Sequence, residues 1–280
     1  MEVSQRYELK KYFVEAFLEI QRSEALLDLS DDINQCAYLV KQGDYDRYRA
    51  VMTLDPNLRS NLFVLLAANI EISRAPWVSN ESIISEIRLQ WWLEAIEEIE
   101  TSKSVRRHFV TSPLERFLSE SQAKLIRENI SARFWEINID PHLSQKELFN
   151  YIDMTSGNIW AVAAELLGTP KNIGRLFGNA MGVVQYCKAN KKFIERGRTP
   201  FPKPDKEIIR IFLQWGLNQL EQGTAEIRDL PHSKKAIRRF AWDTSFYLHQ
   251  FLRKPDYISA SGKPYDPVRF FRFWIACLKS

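Results

Sequence analysis

The stretch Glu86-Ile87-Arg88-Leu89-Gln90-Trp91-Trp92 lies in a long run of helical character that begins near Pro76. Two adjacent tryptophans beside an arginine and a glutamate are rare in an ordinary amphipathic helix. Neighbouring side chains on a helix point about 100° apart, so Trp91 and Trp92 do not share a face. One is expected in the core, the other at a cavity wall or a partner surface. Arg88 precedes them by three and four positions, a spacing that permits a cation–π contact. Glu86, Glu94, Glu97 and Glu98 read as the wet side of this helix.

Outward from this helix the pattern stays helical. The chain has only 10 glycines, and its 12 prolines fall mostly between periodic runs. Asp55-Pro56 and Ser112-Pro113 each place a capping side chain before a proline at the first helical position. Ser144-Gln145-Lys146-Glu147 fits a capping box, and Gly168-Thr169-Pro170 is a stop. Helices are expected near 5–22, 30–41, 56–75, 80–101, 113–136, 144–167, 171–195, 205–228, 232–252 and 266–278. No alternating strand pattern competes with them. The loops at Arg198 to Asp205 and Lys254 to Pro267 lack the character of a flexible interdomain linker, so residues 1–280 read as one all-helical domain.

Composition permits a large core, with 45% hydrophobic and 12% aromatic residues. A net charge of +4 is too weak to argue for nucleic acid. It suits a phosphate-bearing ligand or an anionic membrane surface. Cys36, Cys187 and Cys277 are odd in number, far apart and without metal-ligand spacing, which favours a reducing compartment. The N-terminus has no secretory apolar run, and Glu2, Glu8 and Glu15 argue against a transit peptide. The longest apolar passage, Leu62 to Ile72, is interrupted by Asn69 and Glu71 and is too short to span a bilayer. A soluble or peripheral cytoplasmic protein is expected. His108, His142, His232 and His249 show no zinc spacing, and no Ser-His-Asp set, Walker loop or Rossmann fingerprint is present. Lys234, Lys235, Arg238 and Arg239 read as a solvated basic helix start.

Gly174, Gly178 and Gly182 recur at i, i+4, i+8 on one helix face. Each interior glycine costs about 0.5–1 kcal/mol relative to alanine, so the stripe needs compensation. Close approach of a neighbouring helix provides it, and the small face of Gly157, Ala161, Ala163 and Ala164 suits that neighbour. A bound tail in a groove is the alternative.

The Arg88-Leu89-Gln90-Trp91-Trp92 element resembles a signature of the squalene/phytoene synthase-like proteins. Within them it is most similar to the branch that contains a mitochondrial respiratory complex I assembly factor and its alphaproteobacterial relatives. Asp46-Arg47-Tyr48, Asp55-Pro56, Arg59, the segment Tyr151, Thr155, Ser156 and Gly157, then Gln185, Arg196-Gly197-Arg198 and Pro202 resemble further family landmarks. Pro264 to Trp274 resembles the C-terminal end of that branch. The resemblance covers 45–280 and leaves 1–44 as an N-terminal helical extension. It implies an all-α isoprenoid synthase-type bundle around a central apolar cavity.

Active enzymes of this kind hold magnesium ions with two aspartate-rich motifs on facing helices. The ions neutralise a departing diphosphate, and an apolar cavity shields the carbocation from water. Aligned with the family, the first set of aspartates falls on Ser73, Arg74 and Trp77, and the second on Lys192 and Arg196. None of these residues is acidic, and a lysine has no lone pair to offer magnesium while it is charged. Glu71 is the one carboxylate near the first motif. It is expected to pair with Arg74 or to reach another helix in preference to a metal. Lys188, Lys191 and Lys192 read as a solvated helix end that suits the helix dipole, or as a direct anion site.

The resemblance implies a protein without metal or other cofactor, unless Glu71, Glu81 and Glu86 converge to rebuild a magnesium site. Its expected role is non-catalytic, in prenyl or lipid binding or in respiratory complex I assembly, with respiratory subunits as partners. Peripheral contact at the inner membrane face accompanies that role. Candidate diphosphate- or prenyl-binding residues are Arg59, Glu71, Arg74, Tyr151, Gln185, Lys188, Lys192 and Arg196. One alternative is a divergent prenyl-diphosphate transferase that uses Arg59, Lys188 and Lys192 as a basic clamp. The other is a structural scaffold whose interior is filled by its own side chains.

Overall fold

The computed structural model describes residues 30–137, 144–202, 206–255, 258 and 268–278. The expected helix at 5–22, His142, Pro264 and most of the loop before Pro267 lie outside the described residues. Within them the chain is helical and contains no strand. The first helix, α1, covers 30–43. It is followed by α2 (Tyr45–Met52), α3 (Pro56–Arg74), α4 (Ser82–Glu100), the short α5 (Thr111–Leu114) and α6 (Glu120–Arg133). Then come α7 (Gln145–Ile152), α8 (Asn158–Leu166), α9 (Lys171–Glu195), α10 (Lys206–Glu226), α11 (Thr244–Arg253) and α12 (Arg269–Leu278).

The middle of α3 is buried on every side, from Leu62 through Ala68 and on to Ile70 and Ile72. An apolar helix without a polar face belongs inside a bundle, and no described helix is long and apolar enough to cross a membrane. The Asp55 carboxylate caps α3 by accepting from the Asn57 N–H at 3.0 Å, with Pro56 at the first position. Along its length, about 37 Å at the standard rise, α9 packs between α8 and α10.

The glycine stripe is explained by that packing. A Cβ on Gly178 would stand 2.8 Å from both the Ser156 carbonyl oxygen and Trp160 Cβ. On Gly182 it would stand 2.7 Å from Ile152 Cγ2 and Ser156 Cβ. The stripe lets α9 lie directly on the continuous rod formed by α7 and α8. That rod carries one π turn, Asp153–Gly157, at the contact.

Two expected helices differ in detail, and one was not expected. The run expected at 113–136 breaks after Leu114, and α6 starts at a capping box in which Ser119 and Gln122 satisfy each other's backbone N–H. Its last turn tightens into a 3-10 segment, Phe134–Ile137. The run expected at 232–252 consists of two 3-10 segments, His232–Lys234 and Ala236–Ala241, before α11 begins at Thr244. The eight-residue α2 was not anticipated. It is capped by the Asp44 carboxylate, which accepts from the Arg47 N–H.

Candidate functional site

An open cavity of about 800 Å³ lies among α3, α7–α8 and α9, with Gly43, Asp44 and Arg47 also lining it. Ile70, Ile152, Ile159, Trp160, Ala189 and Phe193 supply apolar wall. The π turn contributes both Thr155 and Ser156 to the cavity wall. The Thr155 hydroxyl donates back to the Tyr151 carbonyl at 2.6 Å, and Ser156 donates across to the Gly178 carbonyl at 2.7 Å.

The two stretches expected to carry metal motifs do meet across this space. Ser73 and Arg74 at the end of α3, Trp77 in the following 3-10 turn, and Lys192 and Arg196 at the end of α9 all line it. The lining cations are Arg47, Arg74, Arg133, Lys192 and Arg196, against the carboxylates Asp44, Glu136 and Glu195. Arg74 and Lys192 are exposed at the rim and have no hydrogen bond or ion pair among the described residues.

Trp77 is locked in place. Its Nε1 donates to Glu136 at 2.6 Å, and its ring meets the Phe193 ring edge-on at 5.0 Å between centroids. The guanidinium groups of Arg196 and Arg198 lie 4.9 and 4.8 Å from the indole centroid, and Arg196 also donates to the Trp77 carbonyl at 2.8 Å. An aromatic plug held by two cations therefore stands where a carboxylate is expected.

Glu136 is 3% exposed. Besides Trp77, its carboxylate accepts from Arg133 Nη1 at 2.7 Å and from the Tyr151 hydroxyl at 2.5 Å. Burial, and then the Glu136 charge, push the Tyr151 phenol well above its ordinary range, so it stays a proton donor in this bond. Asp44 is likewise engaged, with Arg47 at 3.1 Å, while the Arg47 guanidinium covers the Trp160 ring at 5.1 Å.

This donor set does not fit magnesium. Magnesium takes oxygen donors converging in near-octahedral geometry. Here three cations, an indole and one serine hydroxyl, which donates to the Ile70 carbonyl, occupy the expected ligand positions, and Glu136 is engaged by three donors. Among the described residues no three His, Cys, Asp or Glu side chains converge as metal ligands. Glu81 and Glu86 are exposed and do not line the cavity. Glu71 is half-buried and lies electrostatically close to His108.

Of the other residues anticipated at a binding site, Tyr151 and Gln185 line the cavity and Arg59 and Lys188 do not. Arg59 Nε donates to the Leu54 carbonyl at 2.9 Å. The Lys188 ammonium sits 3.9 Å from the Asp243 carboxylate and 3.5 Å from the Tyr247 ring centroid. Desolvation holds Lys188 below its usual range and pushes Asp243 above the usual carboxylate range. Arg59, Lys188 and Lys192 therefore do not form one clamp. Gly157 sits in the π turn, where a Cβ would stand 2.5 Å from Asn179 Oδ1.

The tryptophan pair has a structural role. Trp92 is buried and Trp91 half-buried, edge to face at 5.0 Å, and both rings pack on His108 at 5.2 and 5.5 Å. The cation over Trp91 is Arg106, at 5.4 Å, where the helical spacing pointed to Arg88. Arg106 is itself held by Glu98 at 2.6 Å and Glu94 at 3.2 Å, while Gln90 donates to Glu94 at 2.9 Å. The element thus pins the 102–110 connection to α4 and does not line the cavity.

Sequence reasoning missed Asp44, Arg133 and Glu136 in the polar part of the wall and had Arg47 only as a family landmark. The Arg133-x-x-Glu136 spacing is a detectable i,i+3 pair, but nothing local marks it as buried.

A profile of the squalene/phytoene synthase family matches residues 40–209. In fold, the chain is similar to a dehydrosqualene synthase solved with a ligand, at a TM-score of 0.72 and 11% identity over 90% of this chain and 96% of that one. It is also similar to squalene synthase HpnC from Alicyclobacillus acidocaldarius, at a TM-score of 0.66 and 12% identity over 81% and 95% of the two chains. Among curated proteins it is 27% identical over 236 residues to the human NADH dehydrogenase (ubiquinone) complex I assembly factor 6, covering 78% of this chain and 63% of that protein. The bovine protein of the same name is 27% identical over 185 residues, 60% of this chain and 52% of the relative. The chain therefore spans less than two thirds of the length of these curated relatives. With the matched segment containing every described residue that lines the cavity, the chain belongs to the squalene/phytoene synthase family.

Proposed function

We propose that this chain is a non-catalytic member of its family that binds a prenyl-type or related lipid with an anionic head, in the service of respiratory complex I assembly. The observation that carries the first part is the rim. Ser73, Arg74, Trp77, Lys192 and Arg196 line one cavity there; none is a carboxylate, and Ser73, whose hydroxyl donates to the Ile70 carbonyl at 3.0 Å, is alone among them in having an oxygen to offer magnesium. Electrostatic stabilisation of the leaving group is the main service such a site performs, and without converging carboxylates ordinary coupling of prenyl diphosphates loses it. Arg74 and Lys192 remain available to an anion, and a space of about 800 Å³ suits an apolar tail. That space weighs against a scaffold filled by its own side chains, and the separation of Arg59 and Lys188 from Lys192 weighs against the clamp of a divergent transferase.

The assembly role draws on likeness to proteins named as complex I assembly factors. A site at the inner membrane face belongs to the same reading. The experiment is incubation of the purified chain with farnesyl or geranylgeranyl diphosphate, with and without magnesium, following diphosphate release, hydrocarbon products and equilibrium binding. Saturable, magnesium-independent binding without turnover is expected. Magnesium-dependent coupling would overturn the non-catalytic reading. Co-purification with respiratory-complex subunits, lost when the chain is absent, tests the assembly role.

A further inference from the structure

The rim of the cavity continues into an apolar outer surface that ligand binding inside the cavity does not use. Val78, Ile83, Ile84, Ile87 and Ile194 are 46, 56, 39, 61 and 54% exposed. Single exposed aliphatic residues are ordinary on a protein surface, but these five come from three segments that meet at the Pro76–Trp77 turn. Phe193, beside Ile194, packs its ring on Trp77, and Arg196 donates to the Trp77 carbonyl. The Ser85 hydroxyl, in the first turn of α4, donates to the Pro76 carbonyl at 3.2 Å. The start of α4, the turn at Val78 and the end of α9 are thereby fastened together beside the cavity mouth. Ile83, Ile84 and Ile87 share one helix face, opposite the buried Ser85, Leu89 and Trp92.

The charges around these side chains are mostly positive. Arg74, Arg88, Lys192 and Arg196 are exposed, against exposed Glu81 and Glu86, while Glu195 is paired with Lys191 at 3.6 Å. We propose that this end of the molecule docks on an anionic lipid bilayer, with the isoleucines entering the headgroup boundary and the cavity mouth facing the membrane. Aliphatic side chains interleaved with arginine and lysine are the pattern of an interfacial surface. A protein interface would be expected to offer aromatic anchors and to lack lysine. The proposal rests on the membrane-face reading above and names the surface that would meet the bilayer, and it does not depend on whether the cavity holds a lipid.

The test is co-flotation of the full chain with vesicles of phosphatidylcholine alone and of phosphatidylcholine with phosphatidylglycerol. Binding to the anionic vesicles is expected, weakening as salt screens the cations. The double variant I83E/I87E should lose about tenfold or more of that binding at an unchanged Tm, since both side chains are exposed. Ile211→Glu, on α10, which contributes nothing to the cavity wall, should bind like the parent chain. No binding, equal binding to neutral vesicles, or binding that I83E/I87E leaves intact would overturn the proposal. So would self-association through this face, shown by a concentration-dependent mass that I83E/I87E abolishes in place of vesicle binding. Prenyl-diphosphate binding measured without vesicles reports separately on the cavity.

Discussion

The buried Glu136 and the half-buried His108 show how much of this fold rests on single groups. Glu136 offers one charge to three donors, Trp77, Arg133 and Tyr151, and Arg133 is itself only 11% exposed. Removing one partner of a buried pair leaves the other charge uncompensated, which costs about 3–5 kcal/mol. Glu136→Ala should lose that much stability in urea unfolding, with Trp77 freed from its hydrogen bond. His108 responds to pH instead. Burial under the tryptophan pair lowers its pKa, outweighing the opposing pull of Glu71 and Asp32, and Arg107 lowers it a little further. The unfolded imidazole titrates near 6.5, so just below that pH the unfolded chain binds more protons than the folded one. The His108 contribution is therefore present above about 6.5 and lost as pH falls. Tm should drop between pH of about 7 and about 6, and His108→Phe, which keeps the ring packing, should flatten that slope. The sequence makes Trp91 and Trp92 conspicuous but does not disclose that His108 and Arg106 are what they hold. Those contacts cross a loop that no helical periodicity describes.

Among the elements, α9 is the one read most faithfully, 171–195 expected and Lys171–Glu195 observed. Pro170 starts it, Gly197 at φ +70° follows it, and its glycines form a stripe that local rules can recognise. Helix propensity alone favours alanine at those glycines by at most about 1 kcal/mol. At Gly178 the new methyl would meet the Ser156 carbonyl and Trp160 Cβ at 2.8 Å, and overpacking costs about 1–3 kcal/mol. Gly178→Ala should therefore destabilise the chain despite the better propensity, read as a lower urea midpoint at an unchanged slope. The capping box of α6 gives the converse case, a local signal overlooked beside a stronger apolar pattern. Ser119 accepts from the Gln122 N–H at 3.3 Å, and the Gln122 side chain accepts from the Ser119 N–H at 3.1 Å. Ser119→Ala should cost about 1 kcal/mol. The π turn at Asp153–Gly157 had no sequence signal of its own. It is fixed by partners remote in sequence: Ser156 bonds to the Gly178 carbonyl, and Asn129 donates to the Thr155 carbonyl.

For the whole molecule, the bundle and the meeting of its two motif stretches were legible because they rest on helix order and on the family resemblance. The polar wall was not, since Asp44 and Arg47 come from one segment and Arg133 and Glu136 from another, and only the tertiary fold brings the two together. This division suggests separate handles on tail and head recognition. Ala189 lines the cavity from α9 and is half-buried, so a larger side chain there can extend into open space without displacing backbone. Ala189→Trp should weaken binding of farnesyl diphosphate and of farnesol alike, by about tenfold or more, because it removes volume that any apolar tail needs. Reversing the rim cations with R74E/K192E should weaken only the diphosphate, because both residues are exposed and make no ion pair within the described residues. That loss should shrink at high salt, where exposed charges are screened, whereas the Ala189→Trp loss should not. Calorimetric titration of both ligands against the two variants separates the contributions. Equal losses for farnesol and farnesyl diphosphate in R74E/K192E would mean that the rim shapes the cavity and does not recognise charge.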